Sequence, residues 1–231
     1  MLTLAFDTSS KTLSVALLRD RTVLYDTILH KEQNHSEVLL PAIDEACRQT
    51  GTSMRDVGFF ACTLGPGSFT GLRIGLSTLK GLIMATGKPA AGVSTLAALA
   101  LNVEEPDTVI GSVMDAGRGQ VYLAYYRRGN GGILYPVGNQ QALDPQNVED
   151  PFPEPVIYVG DGAVRYAGLI RPLSAQKNKM APAEQQFISA AAVARLALEK
   201  YSRKDLLDPA RSVPVYLRSV DALPKKPIMP L

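Results

Sequence analysis

Residues 2–29 read LTLAFDTSSKTLSVALLRDRTVLYDTIL. Three apolar runs, at 2–6, 13–18 and 22–29, are separated by two turn signals, Thr8-Ser9-Ser10-Lys11 and Asp20-Arg21. Connections this short join antiparallel neighbours, so the segment is expected to be a three-stranded meander with Asp7 at the exit of its first strand. The pattern returns further along. An apolar run at 109–114 ends in Asp115, Ala116-Gly117-Arg118-Gly119 forms a turn, and 120–126 alternates as a strand. A second turn at 129–132 leads into 133–137. The two stretches do not match residue for residue, so the echo is architectural: two α/β halves, each opening strand, aspartate, hairpin.

Helices and further strands fill the space between and after these openings. Val38, Leu39, Ala42, Ile43, Ala46 and Cys47 recur at three- and four-residue spacing, predicting a helix over 36–49 that Gly51 ends. Pro41 is placed in or near its first turns, where a missing N–H costs least. A strand is expected at 57–63, a glycine-rich loop at 65–68 and a second helix at 69–85. Later come a strand at 156–159, a helix at 187–201 and a last strand at 213–217. Twelve of the sixteen prolines fall from Pro136 onward, so the second half is expected to have looser connections, and the last eight residues read as a frayed tail. The predicted division is 1–101 and 102–231.

Composition excludes several classes. The 231 residues are 46% hydrophobic and 20% charged, which supports a packed core and excludes disorder throughout. A net charge of +2 does not by itself announce a nucleic-acid binder. The longest apolar run, 96–101, is far short of a membrane span, and Asp7 with no basic residue before it argues against a signal peptide. Cys47 and Cys62, in apolar surroundings, read as reduced core thiols of a cytoplasmic protein. With only His30 and His35 available, a histidine-rich metal centre has no ligands.

Two loops could carry chemistry. Asp7-Thr8-Ser9 leaves a buried strand into a hydroxyl-rich turn, which could hold a hydrated magnesium and phosphate oxygens, or simply cap its own amides. Asp115 stands at the equivalent place in the second half. The loop Gly65-Pro66-Gly67-Ser68 opens a helix N-terminus, which attracts anions, but it is neither a Walker loop nor a dinucleotide fingerprint. Gly71 and Gly75 share a helical face and thin it, for close packing within the chain or against a partner helix. No Gly-x-Ser-x-Gly elbow and no His-Glu-x-x-His occurs, so a peptidase reading has no residues to stand on. Arg118, Arg127, Arg128, Arg165, Arg171, Lys177 and Lys179 read either as scattered solvated charge or as a weak phosphate-backbone surface.

These pieces, taken in order, resemble the bacterial TsaB (YeaZ) family. They are Phe6-Asp7-Thr8-Ser9, His35 with Leu39-Leu40-Pro41, the string GPGSFTGLRIG at 65–75, Gly92-Val93-Ser94-Thr95-Leu96, and Val215-Tyr216-Leu217-Arg218. The string at 65–75 is the most specific, and together the pieces span nearly the whole chain. The resemblance implies an actin-like, Hsp70-like fold of two lobes. It also implies an accessory role in making threonylcarbamoyl-adenosine beside the anticodon of tRNAs that read codons beginning with A. In that family TsaB is the non-catalytic paralogue of TsaD, which transfers the threonylcarbamoyl group, and TsaE, an ATPase, joins the pair. The His-x-x-x-His metal motif of TsaD aligns with Thr95 and Leu99, which cannot replace imidazoles. The resemblance further implies that the two helices pack as a bundle with their counterparts in TsaD. The expected contacts are His35, Leu39, Ile43, Gly71, Leu72, Gly75, Leu76, Leu79 and Ile83, with a homodimer competing for the same patch. Asp7, Thr8, Ser9, Gly65, Gly67, Ser68 and Asp115 would be relics of a nucleotide site, or would support ATP or ADP with magnesium at a subunit boundary. No cofactor is expected to be tightly bound, and tRNA would be met only through the complex. The rival expectation is an actin-like-fold ATPase or small-molecule kinase built on Asp7 and Asp115.

Overall fold

The structure, a computed structural model, describes residues 1–30, 34–129 and 132–217. Arg218, the tail at 224–231 and two residues of the turn at 129–132, all singled out above, lie outside the described residues. The opening segment forms β1 (Leu2–Asp7), β2 (Thr12–Arg19) and β3 (Thr22–His30), paired antiparallel in sequence as expected. Then come α1 (His35–Thr50), β4 (Val57–Gly65), α2 (Phe69–Thr86), β5 (Ala90–Ser94) and α3 (Thr95–Ala100). The second half supplies β6 (Val109–Gly117), β7 (Gln120–Arg128), β8 (Leu134–Leu143), β9 (Val156–Val159), α4 (Asp161–Arg165), β10 (Lys179–Met180) and α5 (Ala190–Ser202).

The strands make two five-stranded mixed sheets, in the orders β3-β2-β1-β4-β5 and β10-β9-β6-β7-β8. The second order, reversed, is the first with each strand advanced by five. The directions correspond too. β1 pairs parallel with β4 and β4 with β5; β6 pairs parallel with β9 and β9 with β10. Parallel neighbours need a crossover, which α2 supplies between β4 and β5 and which α4 begins between β9 and β10. The architectural echo in the sequence is therefore a repeated topology: an α/β fold of two lobes built alike, the actin-like arrangement.

Both faces of the first sheet are covered, which is why β1 is wholly buried and β2 nearly so. One face takes α1 and α2, where Leu4, Phe6, Val15 and Leu17 meet Leu39, Ile43, Leu76 and Leu79. The other face carries Ala5, Ala16, Ala61 and Ala91 and receives Ala191, Ala194 and Ala197 of α5. Small residues on both surfaces let helix and sheet approach closely. So α5, although it follows the second sheet in sequence, packs on the first, touching β1, β2, β4 and β5. Helix α3 does the reverse and leans on β6 and β7.

Three local readings change. Residues 213–217 are not a strand: Pro214 has no N–H to give to a ladder, and one bond, Val215 N to Leu64 O at 2.7 Å, ties this strap to β4. The late helix starts at Ala190 because Ser189 caps it, its Oγ accepting from Ala191 N and Ala192 N, so Phe187 and Ile188 precede the helix. Pro41 lies in the interior of α1, its seventh residue, where it removes a helical hydrogen bond. The stretch 144–186 is built of short turns pinned by side chains. Asn178 accepts from Val156 N and donates to Asp150 and Pro172 O, and Gln186 joins Gly160 N to Ala181 O. Among the described residues no helix is long and apolar enough to cross a membrane.

Candidate functional site

Asp7 ends β1 fully buried. Its Oδ1 accepts from Ser9 N (3.2 Å), Ser9 Oγ (2.6 Å) and Thr63 Oγ1 (2.5 Å), while Oδ2 is buried with no partner. Burial pushes its pKa up, against the hydrogen bonds from Ser9 and Thr63 and the charge of His35. This is a carboxyl that closes its own turn. It lines neither cavity of the cleft between the lobes.

The glycine-rich loop presses against the same turn. Ser68 N donates to Ser9 O at 2.7 Å, and Thr8 Oγ1 donates to Gly71 O at 2.7 Å. A Cβ on Gly67 would stand 2.4 Å from Ser9 O, one on Gly71 1.9 Å from Thr8 O, and one on Gly75 2.5 Å from Thr8 Oγ1. These three glycines seat the start of α2 on Thr8 and Ser9, Gly67 and Gly71 against backbone and Gly75 against the Thr8 hydroxyl. Gly65 has φ +125° and lies beneath the carbonyl of Val215. Ser68 caps α2 through a 3.2 Å bond from Gly71 N. His35 anchors the far side of the turn, with Nε2 2.8 Å from Ser10 O.

Between the lobes lie two adjoining cavities of about 450 and 500 Å³. Ser10 and Lys11 of the β1–β2 turn face Met114, Asp115 and Asp161 in both. Phe69 and Tyr216 line the larger one, their rings tilted by 32° with centroids 5.2 Å apart. Asp115 is held rather than free: Arg165 pairs with its Oδ2 at 2.5 Å, and Tyr166 Oη and Gly117 N donate to its Oδ1. Asp161 Oδ1 accepts from Asp115 N at 3.0 Å, and burial, with repulsion from Asp115, pushes its pKa up. Asp161 is a cleft residue that sequence reasoning passed over. Its place becomes clear only in the structure, where Gly160 directly after β9 has φ +117° and Gly65 at the end of β4 has φ +125°.

The residues expected to meet a partner divide sharply. Leu39, Ile43, Leu72, Leu76 and Leu79 are at most 5% exposed, and Gly71 and Gly75 are buried too. Their side of the helices is closed by the chain's own sheet and turn, and of these residues Leu39 alone also reaches the wall of the groove on the outward side. His35 is half-buried on Ser10, and Ile83 is half-buried against the core. The outward side of the pair carries a groove of about 470 Å³ whose walls include Leu40, Phe69, Arg73 and Ile74. Leu40 is 56% exposed there. Thr95 and Leu99, at the aligned metal positions, are buried in α3, and among the described residues no group of three or more His, Cys, Asp or Glu could hold a metal ion. Cys47 and Cys62 are buried free thiols, with burial pushing both thiol pKa values up. Much of the basic character of the second half is paired: Arg127 with Glu154, Arg165 with Asp115 and Lys177 with Asp150.

Residues 25–202 match the family described as TsaD, tRNA N6-adenosine threonylcarbamoyltransferase. Over its full length the chain is similar to the tRNA threonylcarbamoyladenosine biosynthesis protein TsaB of Bacillus subtilis, 32% identical over 224 residues covering 96% of each chain. Among solved structures it is similar to YeaZ from Pseudomonas aeruginosa, at 26% identity and a TM-score of 0.83, covering 94% of this chain and 99% of that one. A likeness of fold alone extends to the activator of the 2-hydroxyisocaproyl-CoA dehydratase from Clostridium difficile, with a TM-score of 0.52 at 13% identity, over 90% of this chain and 99% of that one.

Proposed function

The chain belongs to the TsaB (YeaZ) family of tRNA threonylcarbamoyladenosine biosynthesis proteins, and from that premise we propose that it is a non-catalytic scaffold subunit of the modifying complex. In this reading it binds TsaD, the pair recruits TsaE in the cytoplasm, and tRNA is engaged through the complex. The observation that carries the reading is the outward side of α1 and α2. Leu40, Phe69 and Ile74 line an apolar groove there, while the inward side of both helices is already used. A helix laid in that groove would remove exposed leucine and phenylalanine from water, at about 25 cal/mol per Å² of apolar area. A second copy of the chain offers the same groove, so a homodimer competes with the heterodimer.

The non-catalytic part of the proposal rests on Thr95 and Leu99, whose side chains are a hydroxyl without a partner and an alkyl group. The cleft is read as a vestigial nucleotide site, because Asp7 is closed into its own turn and Asp115 is neutralised by Arg165. The test is an omission assay with TsaD, TsaE, the enzyme that supplies the threonylcarbamoyl adenylate, tRNA, ATP, threonine and bicarbonate. Modified nucleoside should require this chain, should fall at least tenfold with Leu40→Asp, and should persist with Asp115→Asn. Product made equally well without the chain would overturn the scaffold reading. ATP turnover by the chain alone, lost in Asp115→Asn, would favour a nucleotide-hydrolysing enzyme instead.

A further inference from the structure

A third recess, of about 390 Å³, shares no lining residue with the cleft or with the helix groove. Three arginines line it, from three separate elements. Arg21 comes from the β2–β3 turn, Arg128 from the last position of β7 and Arg195 from α5. Glu104 and Glu199 also line it. None of the three arginines makes an ion pair among the described residues.

Arg128 is the telling member. Only 8% exposed, it donates from Nη2 to Leu101 O at 2.9 Å and from Nη1 to Gly132 O at 3.3 Å, and its Nε is buried with no acceptor among the described residues. Two neutral carbonyls orient a guanidinium without discharging it. Burying a charge is expensive, and no ion pair among the described residues offsets it here, Glu104 and Glu199 lining the recess without pairing with Arg128. Desolvation pushes the Arg128 pKa down, opposed by the charges of Glu104 and Glu105 and reinforced to a smaller extent by that of Arg195. A cation held this way, beside two others of the same sign, is arranged for an anion that comes from outside.

We propose that Arg21, Arg128 and Arg195 form a binding site for a small tetrahedral oxyanion of the phosphate class. Guanidinium forks match phosphate oxygens in pairs, and donors arriving from three directions suit four oxygens better than the two of a carboxylate. The site takes two of its arginines from elements packed on the first sheet and one from the second sheet, so the anion would bridge the lobes.

The experiment is thermal unfolding of the full chain titrated with inorganic phosphate at constant ionic strength, chloride making up the balance. Phosphate should raise Tm saturably above the chloride baseline. Arg21 and Arg195 are exposed, so Arg21→Gln and Arg195→Gln are expected to fold normally. Each should weaken the apparent phosphate Kd about tenfold, as loss of one charge-assisted hydrogen-bond donor implies, and the double variant should lose the shift. These exposed positions suffice, so the buried Arg128, which also ties Leu101 to Gly132, is left intact. An equal Tm rise in all variants would mean a general salt effect and overturn the proposal. So would an equal response to acetate, or a short RNA whose binding depends on Arg195 while inorganic phosphate has no effect.

Discussion

Gly71 and Gly81 lie in the same helix, ten residues apart, and the surroundings of the two decide opposite outcomes for one substitution. A methyl group on Gly71 would sit 1.9 Å from Thr8 O, a backbone atom in the turn that also holds Asp7, while one on Gly81 would meet nothing within 4 Å. Gly71→Ala is therefore expected to destabilise the protein by about 3 kcal/mol or more, the upper end for overpacking. Gly81→Ala should stabilise it by about 0.5–1 kcal/mol through helix propensity and a stiffer unfolded chain. Urea unfolding of the two variants checks both signs. Asp7 has its own test. Because burial pushes its folded pKa above the ordinary 3.8, the unfolded chain loses this proton first as pH rises. The folded state is then the one holding more protons, so Asp7's contribution is complete at low pH. It declines from near pH 3.8 upward until the folded carboxyl ionises. Asp7→Asn has no such proton, so its stability relative to the parent should improve between pH 4 and pH 7. A gap that stays constant over that range would show that Asp7 does not titrate abnormally.

At the scale of elements, Pro41 makes α1 weaker than its periodicity suggests. It occupies the helix interior and is exposed, so nothing in the packing requires a ring there. Pro41→Ala is expected to raise stability by roughly 1–3 kcal/mol, below or at the intrinsic cost of an interior proline, read as a higher urea midpoint with unchanged slope. The meander, α1, α2, β6, β7 and β9 were legible in the sequence because each has a clean period bounded by turn residues. β5 was missed because Ala90–Ser94 is short and small-residue-rich and runs straight into the apolar stretch at 96–101. The expected strand at 213–217 fails at Pro214. The residues expected to meet a partner on α1 and α2 are largely buried for a more general reason. Helical periodicity marks the side a chain buries first against its own sheet, and Leu39, Ile43, Leu72 and Leu79 obey it. The groove on the other side, with Leu40 and Ile74, breaks the period and carries no signal a single sequence can show. Asp161 was invisible in the same way, since only the superposed topology of β4 and β9 makes the loop after β9 a site.

At the scale of the whole molecule, the two sheets are separate but the core is not. One continuous cluster runs from Ala5, Ala16, Phe59 and Ala61 in the first sheet to Ile110, Met114, Tyr122 and Ile157 in the second. Leu96 and Leu99 of α3 and the alanines of α5 belong to the same cluster. Each of these helices is covalently nearer one lobe yet packed on the other, so neither lobe can bury its inner face alone. Unfolding should therefore be a single event. The chain carries its own reporters for this, since it has no tryptophan and six of its nine tyrosines, Tyr122, Tyr125, Tyr126, Tyr135, Tyr158 and Tyr166, lie between β6 and β10. Cys62, 1% exposed on β4, reports on the first sheet. In a Cys47→Ser background, urea-dependent reactivity of the Cys62 thiol and tyrosine fluorescence should follow one superimposable transition. Thiol exposure at distinctly lower urea would mean that the first lobe opens while the second persists, and that the shared core around α3 and α5 does not couple them.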